Sequence, residues 1–160
     1  MERLKSLLDN LNALAPWFAP LVLRLLLAKE FWDAGIEKMN SNNWFYNIQA
    51  QFPFPFSLLP PDTNWQLAIS FEVLGAVALL LGFGTRFFAM ALSLLTLIAI
   101  FTIHADAGYT LGSAINEGGW KLPLFYLVML LTLILSGPGR LSIDHHLYQR
   151  HMKTQRRLWS

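Results

Sequence analysis

Apolar residues run through this chain in four long blocks. The second block, Trp65 to Phe83, is apolar apart from Gln66 and Glu72. The third, Phe87 to about Ala105, carries no charge until His104. The fourth, Trp120 to Ser136, has Lys121 and Pro123 in its first turn. Proline is tolerated there because those N–H groups lack helical partners anyway. A bilayer span needs about 20 apolar residues, so each block reads as a membrane helix. The first block, about Pro16 to Lys38, is long enough but holds Arg24, Lys29, Glu30, Asp33, Glu37 and Lys38. It reads as a span because the topology would otherwise be odd-numbered and its charges unexplained. Before it, Leu4, Leu7, Leu8, Leu11 and Leu14 recur at helical spacing among Arg3, Lys5 and Asp9. That stretch is either an amphipathic surface helix or the first turns of helix one.

The pattern predicts an all-α, integral membrane four-helix bundle in one domain, 1–160, with spans near 16–38, 65–83, 87–105 and 120–136. A long aromatic- and proline-rich loop, 39–64, joins the first two spans. It contains Asn43-Trp44-Phe45, a Phe52-Pro53-Phe54-Pro55-Phe56 run and Pro60-Pro61. So much aromatic surface suggests a segment lying in the interface or folded over the bundle mouth. The 84–86 connection is a tight turn, and 106–119 is polar and glycine-rich. Gly82-Phe83-Gly84-Thr85-Arg86 closes one helix and Gly137-Pro138-Gly139-Arg140 another, which hints at two related hairpins.

Composition points the same way. Only 14% of the residues are charged, against about 25% in soluble domains. A chain of this size still leaves about 30% of its unfolded-chain surface exposed, and so few charges cannot cover it for water, so lipid must take the place of the missing polar surface. Asp9, Asn10 and Asn12 interrupt the early apolar run, so no cleaved signal peptide is expected. Arg3, Lys5, Arg86, Arg140, Arg150, Lys153, Arg156 and Arg157 lie on one side of the predicted topology, and Lys38 and Lys121 on the other. This bias puts both termini in the cytoplasm, and a multi-pass location in a bacterial inner membrane is the expectation. The basic segment 142–157 is expected at the interface, near anionic lipid or a soluble partner. A net charge of +2 gives no nucleic-acid signal.

Absent residues exclude some chemistry. With no cysteine there is no thiol exchange and no iron–sulfur cluster. Haem b held by two histidines is not expected, because His104 is the only histidine in a predicted span.

An ionisable side chain in a span costs about 2.5–3.5 kcal/mol or more at mid-bilayer and is a functional hypothesis by default. Counted at about 1.5 Å per residue, Arg24 and Glu72 lie at similar depths on antiparallel helices and could pair. Either they form a structural ion pair, or Glu72 exchanges a proton with a ligand. Glu30, Asp33 and Glu37 fall on one face of helix one, and Arg24, Phe31, Gly35 and Lys38 on another. Helix one should therefore be surrounded by protein or line a polar cavity. The depth count brings His104 and Asp106 to the level of Asp33. It predicts a polar outer-leaflet pocket of Glu30, Asp33, Glu37, His104 and Asp106 under the aromatic loop. Trp32 and Trp44 are its candidate walls. The pocket could hold a quinone headgroup, bind a divalent metal through His104 and carboxylates, or simply close the bundle mouth as a hydrogen-bonded network. Trp17, Trp65 and Trp120 are expected as interfacial anchors. The cofactor is otherwise unknown, and no intrinsic catalytic activity can be read from these residues.

Several of these positions carry a family resemblance. Arg24, Gly35 and Lys38 in helix one, Phe71-Glu72-Val73-Leu74-Gly75 in helix two, and the closing Gly137-Pro138-Gly139-Arg140-Leu141-Ser142-Ile143-Asp144 resemble the DoxX family of small four-helix membrane proteins. The resemblance covers roughly residues 16–146. It implies a redox-related role, since relatives have been linked to quinone-reducing or oxidative-stress membrane complexes. Glu30-Phe31-Trp32-Asp33-Ala34-Gly35 and the Phe-Pro-Phe-Pro-Phe run further resemble the HvfX-like subgroup, encoded with copper-inducible modified-peptide (bufferin-type) genes. That narrower likeness implies a membrane anchor, scaffold or transport component for a copper-binding peptide, with soluble partners at the basic tail.

Overall fold

Arg24, Leu27, Ala28, Phe31 and Gly35 recur every three or four residues, and all five are buried. This stripe is the inward face of a helix. The computed structural model describes residues 2–104 and 121–158, the side chains of 7, 10, 11, 103, 104 and 153–158 excepted. Its helices are α1 (Glu2–Asn40), the short α2 (Phe45–Ile48), α3 (Pro61–Leu81), α4 (Thr85–His104), α5 (Lys121–Ser136) and α6 (Ile143–Leu158). Two 3-10 turns, Gln49–Gln51 and Phe56–Leu58, complete the loop between α1 and α3. No strand occurs among the described residues. The fold is an all-α membrane bundle of α1, α3, α4 and α5. By length and composition α3 and α4 can each cross a bilayer, and α5 is a shorter apolar helix. Trp120 and the 106–119 connection lie outside the described residues.

The core joins Leu27, Ala28 and Phe31 of α1 to Ala76 and Leu79 of α3, Ala89 and Leu92 of α4, and Leu130 and Leu133 of α5. Small residues let membrane helices approach closely. A Cβ on Gly35 would stand 2.7 Å from Val73 Cγ2 and 3.3 Å from Glu72 Cβ. The approach of α1 to α3 at that level therefore requires glycine.

Of the two readings of the leading segment, the structure takes the second: α1 is continuous from Glu2 and passes through Pro16 and Pro20. Pro20 has no N–H, so the carbonyl of Pro16 loses its partner four residues on. The Arg140 N–H donates to that carbonyl at 3.2 Å. The gap left by one proline thus becomes the docking point of the segment after α5. Helix α3 starts at Pro61, earlier than its hydropathy suggests, because proline is suited to a first helical turn. It ends at Gly82, whose φ of 69° is left-handed. The Phe83 N–H reaches Ala78 O and the Gly82 N–H reaches Leu79 O, a Schellman closure.

This end of the bundle is tied by one side chain. Arg24 is almost wholly buried. Its Nε donates to Leu79 O (2.8 Å), its Nη2 to Leu80 O (3.0 Å), and its Nη1 to both Pro138 O (3.0 Å) and Leu141 O (2.8 Å). The sequence pairing of Arg24 with Glu72 is therefore corrected. Side chains on a helix lean toward its N-terminus, which carries this guanidinium toward the helix ends. Unpaired carbonyls wait there, about 11 Å below Glu72 at 1.5 Å per residue. Close by, Asp144 accepts the N–H groups of Gly84 (2.8 Å) and Thr85 (2.9 Å), capping α4 from outside that helix. Ser142 caps α6 by accepting the His145 N–H at 3.1 Å.

Arg24→Lys keeps the charge but replaces a planar fork with a single ammonium. With at least one carbonyl left bare, the change is expected to cost about 1.5–3 kcal/mol, read as a lower unfolding temperature in detergent. An unchanged transition would remove Arg24 from the interactions that hold this end.

Candidate functional site

Lys38 lies about one turn beyond Gly35 on the inward side of α1. Its side chain leans back along the helix and reaches Glu72, where Nζ donates to Oε1 at 2.9 Å. Glu72 is the more deeply buried partner, its side chain 4% exposed against 19% for Lys38. Only one of its carboxylate oxygens is used. Oε2 is buried with no hydrogen-bond partner. Buried polar atoms are nearly always satisfied, so an unmet acceptor in a span stands out.

Glu72 and Lys38 line a cavity of about 200 Å³. Asn64, Ala68 and Glu72 follow one another at four-residue spacing down α3 and contribute its polar and small wall. Leu95, Ile98 and Thr102 of α4 face them. Leu67 and Phe71 of α3 and Leu94 of α4 line the cavity and are also exposed on the flank of the bundle. The cavity therefore opens sideways, between α3 and α4. Asn64 adds a second unmet acceptor, its buried Oδ1.

The aromatic loop closes the top. Phe45, Phe52, Trp65 and Ala68 form a buried cluster. Phe45 packs edge-on against Trp44 and Trp65, each with centroids 4.9 Å away, and at 5.0 Å from Phe52. Such tilted contacts suit the ring quadrupole. Polar side chains fix the loop to α3. Asn43 Nδ2 donates to Asp62 at 2.9 Å, and the Tyr46 hydroxyl donates to the same carboxylate at 2.5 Å. That bond holds the Tyr46 phenol above its ordinary pKa. Gln49 Nε2 donates to Leu59 O (2.7 Å), and Asn64 Nδ2 to Phe56 O (2.9 Å). Trp65 is thus a buried part of the roof and not the interfacial anchor expected of it. Trp17 remains peripheral, with the Arg140 guanidinium 5.4 Å from its ring.

The predicted site residues divide three ways. Lys38, Glu72 and Trp44 meet at the cavity. Arg24 belongs to the clamp. Glu30, Asp33, Glu37 and Trp32 are exposed, away from the inward stripe of α1, so among the described residues the carboxylates do not gather around a pocket. The reason is helical phase. The stripe through Arg24, Phe31 and Gly35 packs inward, and the acidic residues fall away from it. Lys29 pairs there with Asp33 at 2.7 Å, and Tyr126 donates its hydroxyl to Glu30 at 2.6 Å. The side chain of His104 and all of Asp106 lie outside the described residues. Among the described residues no cluster of three potential metal ligands occurs. Asn64 and Thr102 were not singled out in the sequence, and Phe45 and Phe52 only as part of the aromatic loop. The four-residue spacing from Asn64 to Glu72 is the signal that could have found the first.

The DoxX family model matches residues 19–105 of this chain. Two relatives from Haemophilus influenzae, both known only as uncharacterized proteins, are similar to it. One is 48% identical over 124 residues, 78% of this chain and 80% of the relative. The other is 27% identical over 148 residues, 89% of this chain and 100% of the relative. No solved structure matches. These likenesses do not support the narrower copper-associated subgroup.

Lys38→Met should leave Glu72 buried without its counter-charge and cost about 3–5 kcal/mol of stability at neutral pH. Adding Glu72→Gln should recover most of that loss. A double-mutant cycle in thermal unfolding reads the coupling, and additive losses would mean that the two side chains do not act as a pair.

Proposed function

Since the chain belongs to the DoxX family of membrane proteins, we propose that it is a redox-associated membrane subunit whose cavity takes an isoprenoid quinone headgroup beside Glu72 and Lys38. The observation that carries this reading is the unpartnered Glu72 Oε2 on an otherwise apolar cavity open to the flank of the bundle. An apolar pocket with few convergent polar groups is the usual form of a small-molecule site. The donor set fits such a headgroup. Lys38 offers ammonium N–H groups to a carbonyl oxygen, and the free Glu72 oxygen accepts an O–H. Asn64 and Thr102 add polar atoms on the same lining. A quinone, when bound, supplies two-electron, two-proton chemistry. The contribution of this chain is to exclude water under the aromatic roof, to orient the headgroup with Lys38, and to hold or release a proton at Glu72. The electrons would come from a partner, and the chain itself needs no activity of its own.

We place the protein as a multi-pass protein of the bacterial inner membrane with both termini in the cytoplasm. The excess of Lys and Arg at one end of the helices supports this orientation. So does the meeting of the Gly82–Thr85 turn, the Gly137–Asp144 segment and the Pro16 region at a single end.

A non-enzymatic reading has its own support. Helix α6 leaves Leu147, Tyr148 and Met152 exposed in a basic segment, a surface suited to a soluble partner or an anionic membrane. On that reading the chain is an anchor, scaffold or transport component, including one serving a copper-binding modified peptide. Removal of residues 147–160 separates the two: it should abolish partner co-purification under the scaffold reading and leave quinone binding intact under the first.

Short-chain ubiquinone and menaquinone analogues added to the full-length protein in nanodiscs should quench Trp44 and Trp65 fluorescence saturably. Glu72→Gln is expected to weaken that binding about tenfold, the equivalent of one hydrogen bond. No saturable quenching, or equal affinity in Glu72→Gln, would sink the quinone reading.

A further inference from the structure

Among the described residues three buried side-chain polar atoms have no hydrogen-bond partner: Asn64 Oδ1, Glu72 Oε2 and Thr85 Oγ1. The first two belong to residues that line the cavity, and both are acceptors. For Asn64 the neighbours settle this, since an amide oxygen and nitrogen are told apart only by the groups they meet. Nδ2 donates to Phe56 O at 2.9 Å, and a backbone carbonyl can only accept. The second Nδ2 hydrogen goes to Gln49 Oε1 at 3.3 Å. That oxygen is fixed in turn, because Gln49 Nε2 donates to Leu59 O. Oδ1 is therefore the atom left over. Thr102, on the same lining, directs its hydroxyl hydrogen to Ile98 O at 2.6 Å, so its oxygen can only accept from an occupant. Donors on the lining are the Lys38 ammonium and the half-buried Trp44 indole, whose N–H is not among the buried atoms left without a partner. What the cavity lacks is hydrogen to accept.

We propose that the cavity binds the reduced quinol in preference to the quinone, its two ring hydroxyls donating to Glu72 Oε2 and Asn64 Oδ1, so that Asn64 discriminates between the two redox forms. This inference rests on the quinone-site reading and adds to it a second polar end and a preferred redox form. Asn64 and Glu72 are eight residues apart on α3, about 12 Å along its axis. Both side chains lean toward the start of the helix, and the longer one belongs to Glu72, so the gap between the two oxygens is shorter. A ring with hydroxyls on opposite carbons, extended by a hydrogen bond of about 2.7 Å at each end, bridges a gap of that order. At the Glu72 end the same hydroxyl oxygen can accept from Lys38 while its hydrogen goes to Oε2. A quinone brings acceptors alone. It keeps the Lys38 contact, but its far carbonyl meets Asn64 Oδ1 acceptor to acceptor, and both buried oxygens stay unmet, which is unfavourable. Tighter binding of the reduced form raises the midpoint potential of the bound couple above that of the couple free in the membrane.

Decylubiquinone and decylubiquinol, titrated without oxygen into full-length protein in nanodiscs, test this directly. The chain has no cysteine, so reducing mediators leave its covalent structure unchanged. The quinol is expected to bind at least tenfold tighter than the quinone. For a two-electron couple that is an upward shift of at least about 30 mV in midpoint potential relative to empty nanodiscs. Asn64→Leu should weaken the quinol about tenfold, leave the quinone unchanged, and lower the potential by about 30 mV. Asn64 also seats the loop through Phe56, but a loss of that support would weaken both forms alike and leave the shift in place. A quinol with a methyl ether in place of one hydroxyl probes the same contact on the unaltered protein. It should bind about tenfold more weakly than the diol there and lose nothing further in Asn64→Leu. Equal affinities, a downward shift, or a full shift retained in Asn64→Leu would overturn the preference while leaving the quinone site standing. Failure of both forms to bind would overturn the site and the preference together.

Discussion

A guanidinium buried among backbone carbonyls governs this bundle. A cation removed from water is costly unless its donors are met, and Arg24 directs four of its five N–H groups to carbonyls at the end of α3 and in the segment after α5. The end of α3 carries that helix's negative pole, so the charge is compensated by carbonyl dipoles rather than by a carboxylate in direct contact. The geometry is demanding. Leu79 and Leu80 must end one helix at the level where Pro138 and Leu141 follow another, and Gly82 must be left-handed and bare. A Cβ there would stand 2.6 Å from Arg24 Nη2. One side chain thereby sets the relative heights of α1, α3 and the segment after α5.

That register reaches the cavity. With Arg24 fixed at the end of α3, Gly35 falls level with Glu72 and Val73, and Lys38 falls where its side chain can lean onto Glu72. The two charged sites differ in completeness. The clamp is nearly saturated, as expected of a purely structural device. The carboxylate is half satisfied inside an apolar cavity. Incomplete satisfaction is tolerated where something else completes it, which is why the proposed function rests on Glu72 and not on Arg24.

Much of the architecture was legible from hydropathy. The four apolar blocks correspond to α1, α3, α4 and α5, and the glycine-rich closures to turns with left-handed glycines. The charged residues of helix one were also legible as misfits in lipid. Their assignment was not, because depth and phase are separate quantities. Counting residues gave Arg24 and Glu72 similar heights, but it ignored the lean of long side chains toward the helix N-terminus, which sends Arg24 down and brings Lys38 within reach. Counting also could not say which stripe of α1 packs inward. The close approach at Gly35 decides that, and with it the fate of Glu30, Asp33 and Glu37. The aromatic loop read as a cover, yet the hydrogen bonds of Asp62, Gln49 and Asn64 that seat it join residues 8 to 19 positions apart and have no local sequence signature.

The sideways opening between α3 and α4 has a consequence for how the cavity is filled. Its mouth, edged by Leu67, Phe71 and Leu94, meets acyl chains and not bulk water. Any occupant must first dissolve in the bilayer, so its effective concentration is a mole fraction among lipids, and encounter is a two-dimensional search. Occupancy would then follow the lipid pool of the cell at fixed protein sequence, and a head group stripped of its hydrocarbon tail would be a poor competitor however well it matched the polar atoms inside.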